Sequence, residues 1–238
     1  MQPDYKLLVE KIKIKRPLIG FYDAPDPEMF APIVAPKAGI RNCMFDFYAD
    51  WMSGKTTMFT ADNFGCGGCG RAFFGVEMQS REDFLEFLVG KEGLKDSKET
   101  MNEWIENSTP KKSDYGKLFV GPLKPEAYEF LKTVTFFINA DQLSMFIYGA
   151  HYHAKPDDPT PVFAPFGSGC SQFYTVFEDF SVPQAVIGAT DVAMRDRLPA
   201  DTLAFTCTKP MFERLCMLDE RSFLFKPFWQ NLLKKRNC

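Results

Sequence analysis

Val134-Thr135-Phe136-Phe137-Ile138 is apolar on both faces of an extended chain, and the fold turns on that run. A half-exposed strand alternates apolar and polar residues. A run without that alternation needs cover above and below. The stretch therefore predicts a central strand over 134–138 with helices packed on its sheet. Working outward, helical patterns are expected over 141–152 on one side and 125–132 on the other. Short strands are expected over 18–22, 56–60, 117–120, 185–189 and 202–206. Helices are expected over 4–15, 41–54, 71–78, 81–89, 97–105, 210–218 and 226–235, and from Cys170 to about residue 180. Proline-bearing loops fill 23–39 and 156–165. The fold class expected is α/β or α+β: a mixed sheet with helices over it, in a single domain over 1–238. A polar stretch near 107–113 would join two halves, about 17–106 and 117–218.

Those halves share a pattern that points to an internal pseudo-twofold repeat. Cys43 opens a helix, a strand follows, and the strand ends at Phe59-Thr60-Ala61-Asp62. Cys170 opens a helix, a strand follows, and it ends at Gly188-Ala189-Thr190-Asp191. Chance similarity is the alternative.

The chain has 238 residues, of which 45% are hydrophobic and 25 are Phe. A chain of this length buries roughly 70–75% of its unfolded surface, so no staple is required. The phenylalanines imply an aromatic core, with an apolar pocket as the alternative. Net charge is −3 and no basic stripe interleaves with aromatics, which argues against nucleic acid. No apolar run reaches the ~18–20 residues of a membrane span. Residues 1–15 lack a signal-peptide core, so a cytoplasmic location is expected. Seven cysteines, an odd number at irregular spacings, argue against a disulfide framework.

The chemistry concentrates in Gly65-Cys66-Gly67-Gly68-Cys69-Gly70. Glycine lets a backbone approach a bound group closely. The letters also satisfy G-x-G-x-x-G, but four residues separate them from the preceding strand, and the region ~20 further on is helical. Ser53-Gly54-Lys55-Thr56 looks like the end of a P-loop, but Ala49 stands where the first glycine is needed. Zinc is less favoured, because His151 and His153 would point to different faces of a helix.

Three functions fit these residues. The first is an iron–sulfur protein acting in redox or sulfur chemistry, with Cys43, Cys66, Cys69 and Cys170 as ligands. Gly65, Gly67, Gly68, Gly70, Gly167 and Gly169 would free backbone N–H groups toward the cluster. Three ligands would leave one iron open, with Asp191 and Arg195 orienting a substrate. Alternatively, Asp191 caps its helix and Arg195 pairs with it. The second is a small-molecule module in which the glycine turn cradles an anion. The third is a dithiol oxidoreductase using Cys66 and Cys69. Cys207 and Cys216 read as buried thiols. The partner in each case is a small-molecule ligand or substrate, and a homo-oligomer is compatible with all three.

Several segments together resemble a known family. They are Arg41-Asn42-Cys43, residues 66–75, Asp141-Gln142-Leu143, residues 167–170, the set Gly188, Asp191 and Arg195, and the set Asp201, Phe205, Pro210 and Phe212. In this order they resemble the uncharacterised prokaryotic domain-of-unknown-function family 169, over about residues 17–218. The resemblance implies a bacterial or archaeal protein, often from anaerobes. It implies no activity.

Overall fold

The 134–138 run lies inside a longer strand at the middle of one sheet. A computed structural model describes residues 2–38, 42–64, 67–77, 79–108 and 111–236. Eight strands are present among them: β1 (Ile19–Asp23), β2 (Ile33–Val34), β3 (Thr56–Thr60), β4 (Lys117–Pro122), β5 (Leu131–Ile138), β6 (Val162–Phe163), β7 (Ala185–Gly188) and β8 (Leu203–Thr208). Their order across the sheet is β2-β3-β4-β1-β5-β8-β7-β6. The outermost pairs, β2 with β3 and β6 with β7, are parallel. The inner pairs are antiparallel. The class is α+β with a mixed sheet, as the central run predicts.

Neighbouring residues of β5 serve opposite faces. Val134, Phe136 and Ile138 join a core with Tyr22, Phe119, Phe146, Phe205 and Phe212. Phe137 joins the other core, with Phe21, Phe45, Trp51, Phe59, Phe73 and Phe173. The helices are α1 (Lys6–Ile12), α2 (Tyr48–Met52), α3 (Gly67–Phe74), α4 (Arg81–Leu85), α5 (Lys98–Asn107), α6 (Ala140–His151), α7 (Lys209–Cys216) and α8 (Pro227–Lys235). Of these, α4 and α5 pack on each other in a third, smaller cluster with Leu85, Leu88, Met101 and Ile105. Helices α1, α6, α7 and α8 cover the first core. Helices α2 and α3 cover the second. The phenylalanines pack on one another, as in the stacked Phe30–Phe119 pair at 4.1 Å and the tilted Phe45–Phe173 pair at 5.1 Å.

Read from either edge, the strand order is the same: β2-β3-β4-β1 and β6-β7-β8-β5. The likeness is one of strand order, and the sequence repeat is not confirmed by it. The β3–β4 connection carries α3, α4 and α5, whereas the β7–β8 connection carries one short 3-10 turn, Val192–Arg197.

Several local expectations change. The 41–54 helix is a 3-10 turn, Met44–Phe47, followed by α2, so Cys43 precedes the helical backbone in an extended conformation. The 125–132 helix is a 3-10 segment, Pro125–Phe130, after which β5 begins at Leu131. The helix expected after Cys170 shrinks to one 3-10 turn, Ser171–Phe173. Long-range bonds to this loop hold it in a non-helical path.

Candidate functional site

The site lies on the Phe137 face of the sheet. Cys69 and Cys170 meet there as a disulfide, with Cα atoms 6.4 Å apart and 101 residues between them in sequence. Cys69 is fully buried, and Cys170 is 5% exposed. Cys69 is the third residue of α3, within the turn whose backbone N–H groups lack helical partners. The Cys170 sulfur lies 3.7 Å from Ser168 Oγ.

This bond corrects the reading of the cysteines as an iron–sulfur or other metal centre. Two sulfurs bonded to each other have no thiolate to give an iron. Cys66 and Gly65 lie outside the described residues. Among the described residues no group of three or more His, Cys, Asp or Glu side chains is arranged to hold a metal ion. The sequence argues against a disulfide framework, whereas the structure has one disulfide among the described residues. Its cause is a contact between distant segments that spacing along the chain does not reveal.

Cys43 sits on the same face. It packs beside the core that holds Cys69 and Cys170. Its backbone N–H donates to Asp46 Oδ2 at 2.8 Å, and Asp46 Oδ1 accepts from Arg197 Nε at 2.7 Å. That chain ties the 43–47 turn to the 192–197 turn.

Two glycines beside the disulfide, Gly167 and Gly169, are required by backbone conformation and space, whereas Gly67 and Gly68 have ordinary room around them. A side chain on Gly169 would come within 2.9 Å of Met194 Cγ and 3.0 Å of Phe45 Cε2. Gly167 has φ +143, a left-handed region that disfavours other residues, and a side chain there would press on Trp104 and Ser171. A Cβ on Gly68 would lie 3.6 Å from Ser168 Oγ, and one on Gly67 would lie 4.0 Å from Phe84. Gly70 is buried within α3.

Asp191 and Arg195 hold this loop in shape. Asp191 Oδ2 accepts from Gly169 N at 3.0 Å, and Oδ1 accepts from Ala193 N at 3.0 Å, capping the 192–197 turn. Arg195 donates to the carbonyls of Ala189, Thr202 and Ala200. Ala189 itself has φ +59, and the guanidinium braces that left-handed residue. Nearby, burial pushes the Glu92 carboxyl up, and the charge of Asp191 adds to it.

Gln172 is a structural partner that sequence reasoning missed. It is 1% exposed, its Nε2 donates to Thr190 Oγ1 at 2.8 Å and to Pro165 O at 3.2 Å, and its Oε1 accepts from Thr190 N at 3.3 Å. No spacing rule marks a single buried glutamine.

A crevice opens beside the start of α3, lined by Gly67, Arg71, Glu77, Gln79, Arg81 and Phe84. Arg71 Nε and Arg81 Nη2 approach one carboxylate oxygen of Glu77, at 3.9 Å and 3.6 Å. Arg81 Nη1 is buried and has no hydrogen-bond partner among the described residues. Burial first, then the charge of Arg81, holds the Arg71 guanidinium below its ordinary range.

The family model described as DUF169, uncharacterised ArCR, matches residues 7–217, and the chain belongs to that family. No curated protein and no solved structure matches it. Among the described residues no helix is long and apolar enough to cross a membrane.

Proposed function

We propose that this DUF169 chain is a thiol–disulfide redox protein whose redox centre is the Cys69–Cys170 pair. One observation carries the reading. Two sulfurs from distant segments join where the first turn of α3 meets the 167–171 loop. The pair replaces the Cys66–Cys69 dithiol that the sequence suggests.

The chemistry follows from the two environments. Thiol–disulfide exchange begins with a thiolate attacking one sulfur and expelling the other. Cys170 is the residue of the pair with any exposure, 5% against none for Cys69, so attack by an external dithiol is assigned to its sulfur. The S–S bond breaks, and Cys69 leaves as a thiolate. The helix macrodipole favours negative charge in the first turn, where Cys69 sits. The second thiol of the reductant then attacks the mixed disulfide and releases Cys170. Two electrons and two protons pass to the protein, and the reductant ends as its own disulfide. The Cys170 thiol then has Ser168 Oγ as its acceptor.

The test is a thiol count under native conditions. Treatment with dithiothreitol should add two alkylatable thiols, mapped to Cys69 and Cys170. A dithiothreitol redox buffer should titrate them in one two-electron step. Reduction that requires prior unfolding would make the bond a buried staple and end the redox reading.

A further inference from the structure

The two guanidiniums beside α3 are incompletely neutralised. Glu77 sits between them at 3.6–3.9 Å, ion-pair range but beyond a good hydrogen bond. It is also 57% exposed, so water weakens its hold on either arginine. Arg81 Nη1 is removed from water without a hydrogen-bond partner among the described residues. A buried charged donor left unmade is costly. Both arginines share this one carboxylate, and Arg71 is held below its ordinary range by burial first and by the charge of Arg81 second. The cost of the unmade donor falls if an anion with two or more oxygens binds there, because a guanidinium presents paired donors to oxyanions.

We infer that the Arg71–Arg81 crevice binds the oxyanion end of a small substrate, a phosphoryl or carboxylate group. The open crevice has about 20 Å³ of space, which admits about one oxygen and leaves the rest of the molecule outside. Gly67 lines the crevice and stands two residues from Cys69 in α3. An anionic group seated there would lie beside the helix start that carries the disulfide. Glu77 is then a gate carboxylate, displaced by the incoming anion. The inference extends the redox reading by naming the charge of the substrate, but its binding test is independent of thiol chemistry.

The test uses the full chain, oxidised and reduced, with inorganic phosphate and acetate as separate probes in calorimetric titrations. At least one probe should bind the parent protein. Its affinity should fall at least tenfold in Arg81→Gln and in Arg71→Gln, and should rise in Glu77→Gln. Phosphate binding without acetate binding would identify a phosphoryl group, and the reverse a carboxylate. No binding of either probe, or equal binding in parent and arginine variants, would overturn the site. Intact native thiol cycling alongside such a result would leave the redox reading standing. Anion binding without thiol cycling would do the opposite. Circular dichroism of each variant separates lost binding from lost folding.

Discussion

The Cys216 thiol is held uncharged by its surroundings. Burial first, then the charges of Asp4 and Glu213, push it up to about 12. Cys207 shifts in the same direction, through burial and the neighbouring Cys216. In the unfolded chain a thiol ionises near ~8.5. Between those two values the unfolded state binds fewer protons than the folded one. Stability from this group is therefore complete below pH ~8.5 and is lost as pH rises toward 12. The urea midpoint should fall between pH 8 and pH 11, and Cys216→Ala should make that fall shallower. Identical slopes in the two proteins would assign the loss to other groups, among them Tyr128, whose hydroxyl is raised by burial and by its bond to Glu213. At this scale the sequence was informative where a residue acts locally. Asp191 was legible as a cap because its partner, Ala193, is two residues away. Its bond to Gly169, 22 residues away, was not. Arg195 was expected to pair with Asp191 and instead binds three carbonyls, a geometry set by the turn around Ala189.

At the scale of elements, α3 is an improbable helix that is fastened at its start. Gly67, Gly68 and Gly70 fall in its first four residues, each costing about 1 kcal/mol relative to alanine in a helix interior. Such a run reads as a turn, which is why the sequence places the helix at 71–78, four residues late. What overrides propensity is tertiary: the bond from Cys69 to Cys170 and the burial of Phe73 against Phe21, Phe64 and Tyr174. Cys170→Ser should therefore loosen the start of α3. Stability should drop by about 2–4 kcal/mol, the usual effect of a native disulfide. Amide exchange in α3 should quicken while β5 stays protected. Unchanged exchange in α3 would show that packing alone holds it. The contrast with β5 is instructive. That strand was legible because an apolar run on both faces has few other resting places. The stretch from Cys170 to about residue 180 was misread as a helix because Gly167, Gln172 and Asp191 fix the path of its start through bonds that local pattern does not encode.

At the scale of the whole molecule, the first core is closed by a seam between the two ends of the described chain. Helix α8 lies beyond residues 7–217, yet Trp229 and Leu233 are buried with Leu8 and Ile12 of α1. Trp229 Nε1 donates to Lys11 O at 2.7 Å, and Lys11 Nζ stands 4.9 Å from the Phe225 ring centre. Arg236 adds a 2.8 Å pair with Asp141 of α6, but that pair is exposed and worth little. The seam's stability must then rest on the indole. Trp229→Ala should cost about 3–5 kcal/mol, the range for a buried aromatic lost to a cavity. Trp229→Phe keeps most of the ring packing and removes the donor to Lys11, so it should cost nearer 1 kcal/mol plus a smaller packing loss. Urea unfolding of the two variants, followed by far-ultraviolet circular dichroism, measures both. If the alanine variant unfolds at the parent midpoint, α8 is not part of the cooperative unit. If the two variants fall equally, the hydrogen bond outweighs the packing. The expected order places α8 in the core that covers β5, so that the strand which organises the sheet is shielded by segments from both ends of the sequence.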